Sequence, residues 1–406
     1  MATVLEQVFR DEWSRVLANL IRFTGNLDLA EECAQEAFAR AAETDLSSIA
    51  NPGAWLTTVA KRIAVDRMRR EATLARKLPL LAEDLDASSL DDQSEEAPPI
   101  DDDRLRLTFV ACNPELAEEA QVALALRLVC GVATVDIASV FLVPEPTMAA
   151  RITRAKKKIA SSHARFELPS LDKLAERIEA VRTTIYLLYT TLHEVPQSSA
   201  TSSGVTANAA ISMAAQLVAL YPDSGKSDDG ESAGLHALLL LTEARRPGRV
   251  SATGQALALD EVDRSLWDGQ LIQQGLAQAT RALPGGGRFA LQAGISGLHS
   301  AAPTWDATPW PEIVSLYERL LAIWPAPSVR LGALIAKSYV SGPKSALSEL
   351  EELADETPTR QVAAARGDLL RRLGRHHEAI AAYEAAARLE PDPLLQGYLL
   401  RRAAEI

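Results

Sequence analysis

Apolar residues recur along most of this chain at intervals of three and four, the spacing that lines one face of an α-helix. In 4–23, Val4, Val8, Trp13, Val16, Leu17 and Leu20 share a face, and Gly25 follows as a residue suited to closing the helix. A second run starts at once. Leu27, Ala30, Ala34, Ala37, Phe38 and Ala41 make its apolar side, while Asp28, Glu31, Glu32, Gln35 and Glu36 crowd the other. Asn51 and Pro52 restart the chain, with Pro52 suited to a first helical turn, and Trp55, Leu56, Val59, Ala60 and Ile63 give a third helix its core side.

Within 133–159 the pattern predicts two short helices meeting at a tight turn. Thr134 is placed to cap the first, and Ile137, Ala138 and Phe141 form its apolar face. Pro144 stops that helix, because it lacks an amide and disfavours helical geometry at Val143. The second is predicted to start near Pro146 or Thr147. Its buried stripe is Met148, Ile152, Ala155 and Ile159, and Arg151, Arg154, Lys157 and Lys158 occupy the rest of its circumference.

Further helices are predicted at 171–193, 207–220, 231–245 and 264–283, with a Ser/Thr-rich break at 195–206. No strand-like alternation of any length is present, so the expected fold class is all-α. Toward the end, Pro325, Pro358 and Pro391 stand 33 residues apart. Ile313, Ala346 and Ala379 precede them at one fixed offset, and Tyr317, Leu350 and Tyr383 at another. With Gly367 and Gly374 in the last unit, this is close to the tetratricopeptide pattern, in which small residues let paired helices approach and proline ends the second helix.

Composition adds limits. A chain of 406 residues with 47% hydrophobic and 24% charged residues has room for two or three globular domains. Cys33, Cys112 and Cys130 are scattered, with no Cys-x-x-Cys pair and no histidine at metal-ligand spacing, so neither a disulfide framework nor a metal or cofactor site is expected. There is no signal-peptide order and no run of membrane-spanning length, and the cytoplasm is the expected compartment. No Gly-rich phosphate loop or nucleophile motif supports an enzyme. His193 beside Glu194 could serve as an acid–base pair or simply stand at a helix end.

The net charge of −12 conceals a local pattern. Residues 61–77 hold seven bases against Asp66 and Glu71, and 146–165 hold six bases and no acid, while 78–103 hold ten acids and no base. Two basic patches joined by an acidic segment suit a polyanion. In the first patch Lys61, Arg62, Arg67, Arg69 and Arg70 could hold phosphates while Trp55 stacks on an unpaired base or packs in the core. The acidic face of the second helix is either solvated or a dock for a basic partner. The helix pair at 133–159 is either a plain hairpin or a helix-turn-helix for the major groove.

Two segments decide among these readings. Asp28-Leu-Ala-Glu-Glu-Cys-Ala-Gln-Glu-Ala-Phe-Ala-Arg-Ala and Asn51-Pro-Gly-Ala-Trp-Leu-Thr-Thr-Val-Ala-Lys-Arg-Ile-Ala-Val-Asp-Arg-Met-Arg-Arg resemble region 2 of sigma factors of the extracytoplasmic-function type, and 133–159 resembles their region 4. The resemblance covers about 1–165. It implies that Asp28, Glu31, Glu32, Gln35 and Glu36 grip a coiled coil of the RNA polymerase largest subunit, with the flap region as a second contact. It also implies that Trp55, Lys61, Arg62, Arg67, Arg69 and Arg70, with the loop at 44–54, recognise and open the −10 element. Thr147, Arg151 and Arg154 would meet base edges or phosphates of the −35 element, and Lys156, Lys157 and Lys158 mainly phosphate. Arg62 stands where many relatives have Asn.

The expected domains are 1–77 (region 2), 78–103 (acidic linker), 104–165 (region 4), 166–300 (helical extension) and 301–406 (repeats). The linker is either a tether or a flexible anion that threads the polymerase's nascent-RNA channel. The extension resembles that of a sigma subgroup with a C-terminal tetratricopeptide-like domain, though His193-Glu194-Val195-Pro196 replaces a segment usual in relatives. The function implied is promoter-specific transcription initiation by a non-enzymatic factor, with the repeats regulating or assisting it and able to take a protein partner. The alternative is a repeat scaffold carrying a sigma module that no longer binds promoters.

Overall fold

A computed structural model describes residues 2–44, 46, 49–77, 103–141, 143–161, 171–193, 200–220, 230–251, 253–356 and 359–406. The linker at 78–102, Arg165 and 194–196 lie outside them, as do three positions of the 44–54 loop. Among the described residues the elements are helical, with one isolated antiparallel bridge between Val250 and Ala256. No helix there is long and apolar enough to cross a membrane. The chain divides into two compact units, one running to Gln216 and the other beginning at Leu217.

The first unit opens with α1 (Ala2–Thr24), α2 (Leu27–Ala42) and α3 (Pro52–Lys77). Gly25, at φ 64°, reverses the chain, and the Asn26 side chain caps α2 by accepting from the Leu29 amide at 3.1 Å. The predicted faces are the buried ones: Trp13, Val16, Leu17 and Leu20 of α1, all six apolar positions of α2, and Leu56, Ala60 and Ile63 of α3. Trp55 is half-buried.

After the linker come α4 (Asp103–Ala111), α5 (Glu118–Cys130), α6 (Thr134–Val140), α7 (Glu145–Ser161), α8 (Leu171–His193) and α9 (Ala200–Leu220). Met148, Ile152, Ala155 and Ile159 are buried as the 3.6-residue period predicts. Thr134 is the first residue of α6 instead of its cap, because the Ala133 carbonyl already accepts from the Asp136 and Ile137 amides. Helix α9 starts inside the expected Ser/Thr-rich break. Burial of Ala207, Ala210, Met213 and Leu217 stabilises the helix enough to override weak propensity in its first turns.

The second unit contains α10 (Glu231–Ala244), α11 (Gly269–Ala282), α12 (Arg288–Ala301), α13 (Trp310–Ile323), α14 (Pro327–Val340), α15 (Pro343–Glu356), α16 (Arg360–Arg372), α17 (His376–Leu389) and α18 (Pro393–Ala404). Helices α13, α15 and α17 begin at 310, 343 and 376, and each ends shortly before a proline of the predicted repeat. Gly367 is needed because a Cβ there would come within 2.9 Å of the Tyr383 ring, which fills the gap between α16 and α17. The expected helix at 264–283 is broken: Asp268 accepts from the Gln270 and Leu271 amides and caps a new start at Gly269. Glu231 is buried and accepts from the Phe289 and Ala290 amides, satisfying the first turn of α12.

Candidate functional site

The charged faces predicted from sequence all belong to the first unit, and the structure sets several of them against one another. On α2, Asp28 and Glu32 have side chains 64% and 63% exposed, whereas that of Glu31 is 6% exposed. Leu27, Ala30 and Ala34 fix this geometry by turning the opposite face into the core. Gln35 donates to Glu31 at 3.1 Å, and Glu36 accepts from Arg40 at 2.6 Å.

On α3 the basic residues fall into two groups. Arg67 turns back on α2, where it pairs with Glu32 and donates to Glu36 at 2.8 Å. The Arg67 hydrogen bond holds the Glu36 carboxyl below its ordinary value, against a smaller upward push from burial. Lys61 lies with its ammonium 5.7 Å from the Phe23 ring centroid. Arg62, Arg69 and Arg70 project from an exposed surface on the same helix.

On α7, Thr147, Arg154, Lys157 and Lys158 are exposed. The Lys158 amine meets the Glu115 carbonyl. Arg151 is steadied from two sides, by Glu119 at 2.9 Å and by the Phe141 ring, whose centroid lies 5.9 Å from the guanidinium carbon. Lys156 departs from the expected pattern. Its amine is directed to Asp28 at 3.2 Å and to Glu31.

Arg127, Phe9, Leu128 and Gly131, which the sequence reading does not single out, complete this arrangement together with Trp13 and Phe38. Arg127 of α5 donates from Nε to Glu31 Oε1 at 2.6 Å and from Nη1 to the Val132 carbonyl at 3.1 Å. It is the single charged residue in the otherwise apolar stretch 122–130, and that isolation is a readable sign of a buried partner. Trp13 Nε1 donates to the Leu128 carbonyl at 3.2 Å, and Phe9, Trp13 and Phe38 form an aromatic cluster. Gly131 closes α5 at φ 65° under the Phe9 ring, where a Cβ would lie 2.8 Å from a ring carbon. Segments 1–77 and 104–165 thus share one packed unit.

The unit presents an acidic face beside a basic one, the electrostatics of a bridge between a basic protein surface and a polyanion. Comparison with known proteins agrees in part. Residues 8–73 match the family model described as Sigma-70 region 2, residues 361–393 match a tetratricopeptide repeat, and residues 177–283 match a family of unknown function. An uncharacterized protein of Rhizobium meliloti (strain 1021) is 36% identical over 95% of this chain and 92% of its own length.

Proposed function

This chain belongs to the sigma-70 family and carries a tetratricopeptide extension, and from that premise we propose that it is an initiation factor of the extracytoplasmic-function type, binding core RNA polymerase and directing it to promoters. The observation that carries the reading is the placement of the α2 carboxylates and the α3 cations from Lys61 to Arg70 within the matched 8–73 segment, acids on one helix and bases on the next. Asp28, Glu31, Glu32, Gln35 and Glu36 form the dock for a basic coiled coil of the polymerase. Lys61, Arg62, Arg69 and Arg70 take the phosphates around the −10 element, with Trp55 at the same helix's start as the stacking ring. Arg67 joins them once its pairs with Glu32 and Glu36 are exchanged for polymerase contacts.

Helices α6 and α7 act as the −35 reader. Arg151, held by Glu119 and the Phe141 ring, is oriented for a base edge, and Thr147 and Arg154 lie on the same exposed side. Lys156, Lys157 and Lys158 position the helix through phosphates. The repeats in the second unit supply a surface for a protein partner. Reconstitution with core polymerase tests the whole reading: a promoter-directed run-off transcript is expected. Neither transcript nor core binding, with promoters selected in the protein's presence, would overturn it.

A further inference from the structure

Two of the four acids assigned to the polymerase dock, Asp28 and Glu31, are already engaged by cations from outside the 8–73 segment. Both carboxylate oxygens of Glu31 are taken, Oε1 by the Arg127 guanidinium and Oε2 by the Lys156 ammonium, and Lys156 also holds Asp28. The cations come from α5 and α7, 96 and 125 positions along the chain from Glu31. Arg127 and Lys156 have side chains only 18% and 15% exposed. This contact does not stand alone. The Trp13 to Leu128 hydrogen bond, the Phe9 ring over Gly131 and the pair between Arg22 and Asp103 at 3.1 Å fasten α1 to α4 and α5 around it.

We propose that α5 and α7 form a self-docking clasp on the α2 face, with Arg127 and Lys156 occupying the place of the polymerase's own cations, so that clasp closure and core binding exclude one another. The inference rests on the sigma reading above and concerns the regulation of that same dock. A largely buried carboxylate cannot exchange partners gradually, because losing one cation leaves an uncompensated charge. Polymerase cations must therefore replace Arg127 and Lys156 together. Opening also frees Lys156 for phosphate, so core binding and promoter binding favour each other through a single event. That linkage is reciprocal: DNA drawn to α7 strengthens core binding by the same factor. Glu32, exposed and paired only within the 8–73 segment, remains available as the point of first encounter.

Full-length protein and its Arg127→Ala variant are titrated with core RNA polymerase, without DNA. Lys156 acylation by an amine-reactive reagent is followed by mass spectrometry, with exposed Lys157 as internal reference. Arg127→Ala is expected to bind core about tenfold tighter than wild type, the value of a hydrogen-bonded charge pair. Lys156 is expected to label slowly in the free protein and at the Lys157 rate in the core complex. Lys156→Gln opens the clasp from the other side and serves if circular dichroism shows that Arg127→Ala has lost helix. Tight core binding by wild type with Lys156 still protected, or equal affinities for wild type and a folded variant, overturns the clasp and leaves the sigma reading standing. Absence of core binding by wild type and both variants overturns the sigma reading and the clasp with it.

Discussion

Two glutamates, one in each unit, are held by a pair of cations from distant sequence, and they serve different ends. Glu31 meets Arg127 and Lys156. Glu261, in the excursion between α10 and α11, accepts a fork from Arg401, each contact at 3.0 Å, and a third bond from Arg402 at 3.2 Å. The difference lies in the remaining bonds. Glu261 also accepts from the Ala258 amide at 2.8 Å, and Arg401 donates to the Ala256 carbonyl at 3.2 Å, so the carboxylate is built into its own turn and pins that turn to α18. Among the described residues Glu31 accepts from no backbone amide, and its local bond comes from the Gln35 side chain. Its cations lie on α5 and α7, and the function proposed above gives Lys156 of α7 a second partner in phosphate, which would make the pair exchangeable. The same ion chemistry is structural where both partners lack any other demand, and switchable where one of them has a competitor.

The largest expected effect comes from breaking the structural member. Arg401→Ala removes both fork bonds and the Ala256 contact, leaving a half-buried carboxylate with Arg402 and the Ala258 amide. It should destabilise the second unit by about 3 kcal/mol. Calorimetry should show one transition falling while that of the first unit stays. Combining it with Glu261→Gln should cost clearly less than the sum of the single changes, since both act on one pair.

A sharper form of the comparison lies within α2. Glu31→Gln leaves two poorly exposed cations short of charge and should cost the first unit about 2 kcal/mol, whereas exposed Glu32→Gln should stay within about 0.5 kcal/mol. Denaturant titration separates them. Charge reversal at Glu32 and Glu36 should nevertheless weaken core binding, measured directly with purified polymerase. Equal stability losses from Glu31→Gln and Glu32→Gln would dissolve the distinction between the buried and exposed halves of this face.

These contrasts also mark how far the chain could be read before its structure. The stripe of Met148, Ile152, Ala155 and Ile159, the acidic crowding of α2 and the repeat of Pro325, Pro358 and Pro391 were legible, because each is a local periodicity that the helix enforces. The partner of Glu31 was not. Charges 96 residues apart in sequence carry no shared period, and Arg127 announced itself only as a lone base in an apolar run. The fastening of 256–261 to α18 was hidden for the same reason. The early start of α9 has no local signal, because Ser and Thr mark breaks by local chemistry, which burial of the rest of that helix overrides.

Arg151 tests the proposed −35 reader and a smaller effect. Arg151→Ala should spare core binding and cost about 1 kcal/mol of promoter discrimination, the low end for a base-contacting arginine, because binding forfeits its pair with Glu119. Lys157→Ala should instead weaken all promoters alike and lower the salt slope by about one. An unchanged promoter profile in Arg151→Ala would move this side chain from base readout to positioning.

The smallest expected effect is a pH dependence confined to the second unit. Burial raises the Glu261 carboxyl, but the bonds from Arg401 and the Ala258 amide, with the charge of Arg402, outweigh it and bring the carboxyl below its ordinary value. A carboxylate with a depressed folded value contributes stability that is fully present above the unfolded value of about 4.3 and is lost as pH falls through the folded one. The second unit should therefore lose part of its melting temperature on acidification below about pH 4.3, and Glu261→Gln should reduce that loss. If the wild-type and Glu261→Gln profiles run parallel through this window, the Arg401 fork is not what holds the 256–261 turn to α18, and the contrast with Glu31 must rest on geometry alone.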